Sequence, residues 1–258
     1  MRIALGIEYN GHGFWGWQVQ ESLPTIQGHL ESALSQIADE PIKLFCAGRT
    51  DAGVHATGQI AHFDTQSVRS MRAWTFGPNA LLPPNIAVCF AQQIPDDFHA
   101  RYTALSRHYR YIIYNYPSRP ALLAGRVAWY YDVLNIATMQ QAAHYLIGEH
   151  DFSAFRSAQC ESKTPMRNVQ SFKITRSDQY IIFEITANAF LHHMVRNIVG
   201  TLLKVGAGFQ EPEWVQAVLQ SKDRRTAGAT ADPAGLYLTQ VTYPPNYLFP
   251  KRSEMLFF

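Results

Sequence analysis

Within this 258-residue chain, the run Gly48-Arg49-Thr50-Asp51-Ala52-Gly53-Val54-His55-Ala56 is the segment best equipped for chemistry. It sets a carboxylate two residues from a guanidinium. The flanking glycines permit tight backbone turns around both. Small Ala52 and Gly53 leave room beside Asp51 for another molecule to approach. A carboxylate so placed can serve as a nucleophile or as a general base. Taken alone, an R-x-D pair also reads as an Asx-type turn with a surface ion pair. What surrounds the segment therefore decides its meaning.

Other reactive types are scattered. Gly11-His12-Gly13-Phe14-Trp15-Gly16 satisfies G-x-G-x-x-G and follows an expected strand. A dinucleotide site would need a helix opening at these glycines. Trp17-Gln18-Val19-Gln20 follows instead, and Pro24 interrupts. The glycines are read as a mobile loop with an aromatic rim. His192 and His193, adjacent on an expected helix, are expected to point to different sides. His12, His55, His62, His99 and His108 show no H-x-x-x-H or HExxH spacing, so no metal is expected. Cys46, Cys89 and Cys160 are far apart and odd in number, which excludes a disulfide framework and a CxxC zinc site. Reduced thiols suit a cytoplasmic protein. Glu8 arrives too early for a signal peptide, and no apolar run approaches the ~18 residues of a membrane span.

The elements that must position Asp51 come in a doubled order. Ile3 to Tyr9 reads as a strand and Thr25 to Ala38 as an amphipathic helix capped by Thr25. Ile42 to Ala47 and Gly58 to Asp64 read as strands. Ser70 to Leu81 reads as a helix stopped by Pro83-Pro84, and Ile86 to Ile94 as a strand. The second half repeats this βαββαβ order. Ser106 to Asn115 is a strand and Asn135 to Ile147 a helix. Val169 to Thr175 and Tyr180 to Thr186 form a hairpin across Arg176-Ser177-Asp178-Gln179. Ala189 to Val205 is a long helix ended by Gly206 and Gly208. Glu211 to Gln220 is an extra helix with Pro212 in its first turn, and Leu236 to Thr242 is the last strand. The expected fold is α+β: two ferredoxin-like βαββαβ units, residues 1–105 and 106–258, with largely antiparallel sheets joined across a central cleft.

Composition agrees with a folded chain. Apolar residues make up 47%, aromatics 13% and charged residues only 16%, which excludes disorder. Residues 1–105 hold 6 Lys and Arg against 9 Asp and Glu, a net of −3. Residues 106–258 hold 16 against 11, a net of +5. That asymmetry suggests that the second half meets a polyanion.

The run from Gly48 to Ala56 closely resembles the GRTDAGVHA signature of the tRNA pseudouridine synthase A family. The resemblance continues in order along nearly the whole chain. Tyr9-Asn10-Gly11 with Phe14 and Gly16-Trp17-Gln18 comes first, then Phe98-His99-Ala100-Arg101 and Arg107-His108-Tyr109-Arg110-Tyr111. Phe152-Ser153-Ala154-Phe155-Arg156, Asn188 to Asn197 and Gly235-Leu236-Tyr237-Leu238 complete it. The tail after Tyr243 is not diagnostic. The resemblance implies an isomerase that detaches uracil from C1′ of its ribose, turns it and rejoins it through C5. It implies tRNA as substrate, with uridines 38, 39 and 40 of the anticodon stem-loop modified. It also implies a homodimer and no cofactor.

By the same resemblance, Asp51 opens the glycosidic bond, attacking C1′ or removing a ribose proton. Arg196 is its partner, keeping the carboxylate ionised from the long helix of the second unit. Tyr109 stacks on the target base, Leu236 is an apolar floor, and Arg49 holds the backbone of the extruded nucleotide. Two other readings have their own signatures. A non-catalytic RNA-binding module would carry an RNP1-like aromatic pattern, which is missing. A nucleoside hydrolase would carry a second acid or metal ligands beside the first.

Overall fold

The computed structural model describes residues 1–250. Strand β1 (Arg2–Tyr9) leads through a glycine-rich loop to helix α1 (Ile26–Ala38). The Thr25 side chain caps α1 by accepting from the Gly28 amide. The apolar face of α1 buries Ile26, Leu30, Ala33 and Leu34, as 3.6-residue spacing demands. The short β2 (Phe45–Cys46), β3 (His55–Asp64), α2 (Met71–Leu81) and β4 (Ile86–Ile94) follow. β1 lies antiparallel between β4 and β3, and β2 pairs with β3. The spatial order is β4-β1-β3-β2.

The second half builds the same order from different residues. It comprises β5 (Ser106–Asn115), β6 (Ala128–Tyr130), α3 (Ile136–His144), β7 (Gly148–Asp151) and β8 (Met166–Ser177). Then come β9 (Tyr180–Ala187), α4 (Met194–Gly206), α5 (Glu213–Ser221) and β10 (Leu236–Thr242). The strands run β10-β5-β9-β8, with β7 beyond β8 and β6 continuing alongside β5. The doubled ferredoxin-like order read from the sequence is the architecture of the molecule.

The two units are joined edge to edge. His55 and Ala56 of β3 pair in parallel with Tyr237 and Leu238 of β10. The other edge of β10 pairs antiparallel with β5, Leu238 opposite Tyr109 and Leu236 opposite Tyr111. One ten-stranded sheet results. The main apolar cluster runs through both units, from Leu5, Leu34 and Trp74 to Leu238, Ile198 and Leu202, with smaller clusters around Phe98 and Ile112. Among the described residues, no helix is long and apolar enough to cross a membrane.

Three local expectations give way to contacts that are distant in sequence. The strand expected over 42–47 shrinks to Phe45–Cys46. The Ile42 amide donates to the Ser35 hydroxyl and the Leu44 amide to the Glu31 carboxylate, so α1 takes amides that a sheet ladder would use. The helix expected from Ala189 begins only at Met194. Residues 189–193 are instead an irregular segment in which the Asn188 side chain accepts from the amides of Ala189 and Asn168. His193 is left-handed, with φ 63°. The hairpin is tighter than expected, with only Asp178-Gln179 between the strands.

Candidate active site

The Asp51 segment is held from three sides. Gln59 of β3, fully buried, donates to the Gly48 carbonyl at 2.6 Å and accepts from the Gly48 amide at 3.3 Å. The Tyr9 hydroxyl of β1 lies 2.8 Å from the Thr50 hydroxyl. The glycine-rich loop lies against the segment's backbone: the Trp17 amide donates to the Thr50 carbonyl at 3.0 Å, and the Gly53 amide to that of Phe14 at 3.3 Å. A Cβ on Gly16 would come within 2.7 Å of the Thr50 carbonyl oxygen, and Gly16 is left-handed with φ +87°. Only glycine fits there. The G-x-G-x-x-G run is thus a buttress for the Asp51 turn, anchored by backbone hydrogen bonds rather than loose. Trp15 does form an exposed rim, whereas Trp17 is buried.

Three side chains meet at the Asp51 carboxylate. The Arg196 Nη1 of α4 donates to Oδ2 at 3.0 Å. His192 Nε2 is 3.3 Å from Oδ1, and His193 Nε2 is 3.5 Å from Oδ2. Arg196 is oriented from behind, because its Nε donates to the Ala231 carbonyl at 2.9 Å. The segment bearing Ala231 is itself fixed on α4. The side-chain oxygen of buried Asn197 accepts from Thr230 at 2.7 Å and from Arg224 at 3.0 Å. The two histidines do not point to different sides of a helix. They precede α4, and the left-handed turn at His193 aims both rings at one carboxylate.

The remaining residues singled out in the sequence lie at different distances from this cluster. Tyr109 is buried in β5 with its ring edge-on to Phe190, centroids 4.9 Å apart. A Cβ on Gly48 would sit 3.6 Å from its hydroxyl, so the phenol borders the Asp51 turn. Leu236 is buried on β10 and shares a sheet face with Leu238, which pairs with Tyr109. Arg49 pairs with a residue other than Asp51. Its Nη1 reaches Glu161 at 3.3 Å, with both side chains largely in solvent. Arg107 contributes differently. Its buried guanidinium donates to the carbonyls of Ala47, Arg101, Ala104 and Asn188, tying the start of the Asp51 turn to the start of the histidine segment.

Electrostatics favour an ionised acid here. Burial opposes the charge on Asp51, but the His192 hydrogen bond and the neighbouring His193 and Arg196 outweigh it, holding the carboxyl below its ordinary value. Burial, reinforced by the Asp51 charge, pushes the Tyr109 phenol up, so it stays protonated at neutral pH. Asp51, His192 and His193 bring ligand-type atoms within 4.8 Å of one another. The Arg196 guanidinium already occupies that carboxylate, however, and a metal cation would have to share it with a fixed positive charge. The arrangement suits a reactive anion better than a metal.

Sequence reasoning overlooked His192 and His193 as neighbours of Asp51. No local spacing marks them, because they precede α4 and their aim depends on the left-handed turn at His193.

An ionised carboxylate, bordered by a buried phenol and set where two ferredoxin-like units meet, suits an enzyme whose chemistry starts from an acid side chain. Comparison with known proteins narrows the class. A family model described as tRNA pseudouridine synthase matches residues 7–103 and 142–244. Those spans include Arg49, Asp51, Arg196 and Leu236, while Tyr109 falls between them. A tRNA pseudouridine synthase A of Shewanella sp. (strain MR-4) is 57% identical over 251 residues, 97% of this chain and 96% of that one. A tRNA pseudouridine synthase A of Coxiella burnetii (strain Dugway 5J108-111) is 52% identical over 257 residues, 100% of this chain and 98% of that one. The chain belongs to the tRNA pseudouridine synthase family.

Proposed function

We propose that this chain isomerises uridine to pseudouridine in tRNA, at positions 38, 39 and 40 of the anticodon stem-loop. The carrying observation is the Asp51–Arg196 contact of 3.0 Å, which joins the two units beside the Tyr109 phenol. The reaction breaks the N1–C1′ bond and makes a C5–C1′ bond. The C5 proton leaves and one proton ends on N1. Attack on C1′ and removal of a ribose proton both begin from an ionised carboxylate, which the surroundings of Asp51 maintain.

Arg196 holds Asp51 ionised and oriented. Tyr109 stacks on the detached base, whose rotation a flat aromatic face tolerates. Leu236 lines the floor and excludes water. Arg49 takes a phosphate of the flipped nucleotide, exchanging its solvent-exposed partner Glu161 for the RNA. A homodimer, with one tRNA spanning both subunits, and a cytoplasmic setting complete the reading.

Asp51→Asn tests it. Purified protein is incubated with tRNA and pseudouridine is mapped by mass-labelled sequencing. The unaltered chain is expected to modify the anticodon stem-loop, and Asp51→Asn to bind tRNA with no product. Turnover surviving in Asp51→Asn, or free uracil released by the unaltered chain, would overturn the assignment.

A further inference from the structure

Three side chains crowd the Asp51 carboxylate. Arg196 alone supplies a charge to Oδ2, yet an imidazole also faces each oxygen, at 3.3 Å and 3.5 Å. The two rings lie with centroids 4.0 Å apart. They are between two and three times as exposed as Arg196, at 34% and 28% against 12%, so they stand on the open side of the site. The backbone is shaped to bring them there. His193 is left-handed, the Ser157 amide donates to the His192 carbonyl at 3.0 Å, and the His192 amide faces the Cys160 sulfur at 3.4 Å. Consecutive helical residues would diverge by about 100°. A strained, non-glycine conformation that instead converges two imidazoles on one reactive group points to a use for them.

We propose that His192 and His193 are positioning residues for Asp51, and that uptake of a proton by this pair closes the reaction on its acid side. The proposal rests on the reading of Asp51 as the group that opens the glycosidic bond. A neutral imidazole donating from Nε2 orients the carboxylate without cancelling its charge. An imidazolium adds a full charge, lowers the basicity and nucleophilicity of Asp51, and clamps Oδ1, the oxygen that Arg196 leaves open. Arg196 of α4 and Arg224, which follows α5, already face His193, while Tyr109 of β5 faces Asp51. Burial holds His193 below its ordinary value of 6.5, with Asp51 pulling it back up. Asp51 itself is held below 3.8. As pH falls from neutral, His193 therefore gains a proton before the carboxylate does.

The test is the pH profile of the single-turnover rate at saturating enzyme, from about pH 8 to pH 4.5. It compares the unaltered chain with His192→Gln, His193→Gln and the double variant. Glutamine keeps an amide donor near the Nε2 position and does not titrate. The unaltered chain is expected to lose about tenfold per pH unit below the midpoint of the pair. The double variant, starting from a lower neutral rate, should lose less than about twofold over the same range. Circular dichroism at each pH separates this limb from unfolding, since buried His55 and His62 are also held low, at about 4. An unchanged acid limb in the double variant overturns the proposal and leaves the reading of Asp51 standing. Activity in Asp51→Asn overturns that reading instead. If the double variant does not fold, histidine Cε1–H titrations by NMR decide. The His193 midpoint should fall in Asp51→Asn, and an unchanged midpoint overturns the proposal.

Discussion

Arg196 does two jobs with one planar group: Nη1 holds Asp51 while Nε holds the Ala231 carbonyl. Its side chain is 12% exposed and that of Asp51 17%, so the pair is largely out of water. Arg196→Ala strands a charge that two neutral imidazoles cannot balance. We expect a loss of roughly 3–5 kcal/mol in urea unfolding, together with loss of turnover. Arg196→Lys restores a charge but not the fork, so it should recover part of the stability and little of the rate. Unchanged unfolding curves and turnover in Arg196→Ala would refute the pairing. At this scale the sequence was most informative where residues adjacent in the chain act together. The Gly48–Ala56 run announces its carboxylate by itself. The imidazoles were hidden because their aim depends on a left-handed backbone at His193, held by Ser157 and Cys160 more than thirty residues away.

The elements that carry these side chains were legible to unequal degrees, for a physical reason. β4, β5 and β10 match their expected limits, since alternation and flanking turn residues define them locally. β6 and β7, of three and four residues, were missed, because each exists only through a partner strand supplied by distant sequence. The glycine-rich loop was recognised as no nucleotide site, but its packing on the Asp51 turn could not be read. That packing makes a prediction. Gly16→Ala forces a Cβ against the Thr50 carbonyl at a left-handed position, and should displace Asp51. Misplacing a catalytic group by about 1 Å can cost about a hundredfold in rate. We expect a fall of at least about tenfold, with tRNA affinity little changed. Gly13→Ala is the control. It has φ +84° but open space within 4 Å, so it bears only backbone strain and should keep its rate. Equal rates for the two variants would show that the loop does not support the turn.

Across the whole molecule, charge is divided as unevenly as the chemistry. The first 105 residues carry a net −3 and the remainder +5. If tRNA lies along the second unit, its binding must release counterions. Neutralising even two phosphates would weaken affinity about tenfold between roughly 50 and 200 mM salt. Filter binding across that range checks this, and a flat response would exclude a phosphate-led contact. The doubled topology was visible in the sequence as a repeated order of elements. The seam was not, since two residue pairs between β3 and β10 leave no periodic trace.

That seam also governs when the molecule can first work. Among the described residues β10 is the last strand in sequence, yet it lies in the middle of the sheet, between β3 and β5. During synthesis from the N-terminus, the acid and the phenol emerge long before the strand that spans the gap between them. A ribosome-bound chain halted before Leu236 already has the Arg107 and Arg196 ties but lacks the strand that seats β3 beside β5. The two halves of the sheet can therefore close into one only after Thr242 has been made.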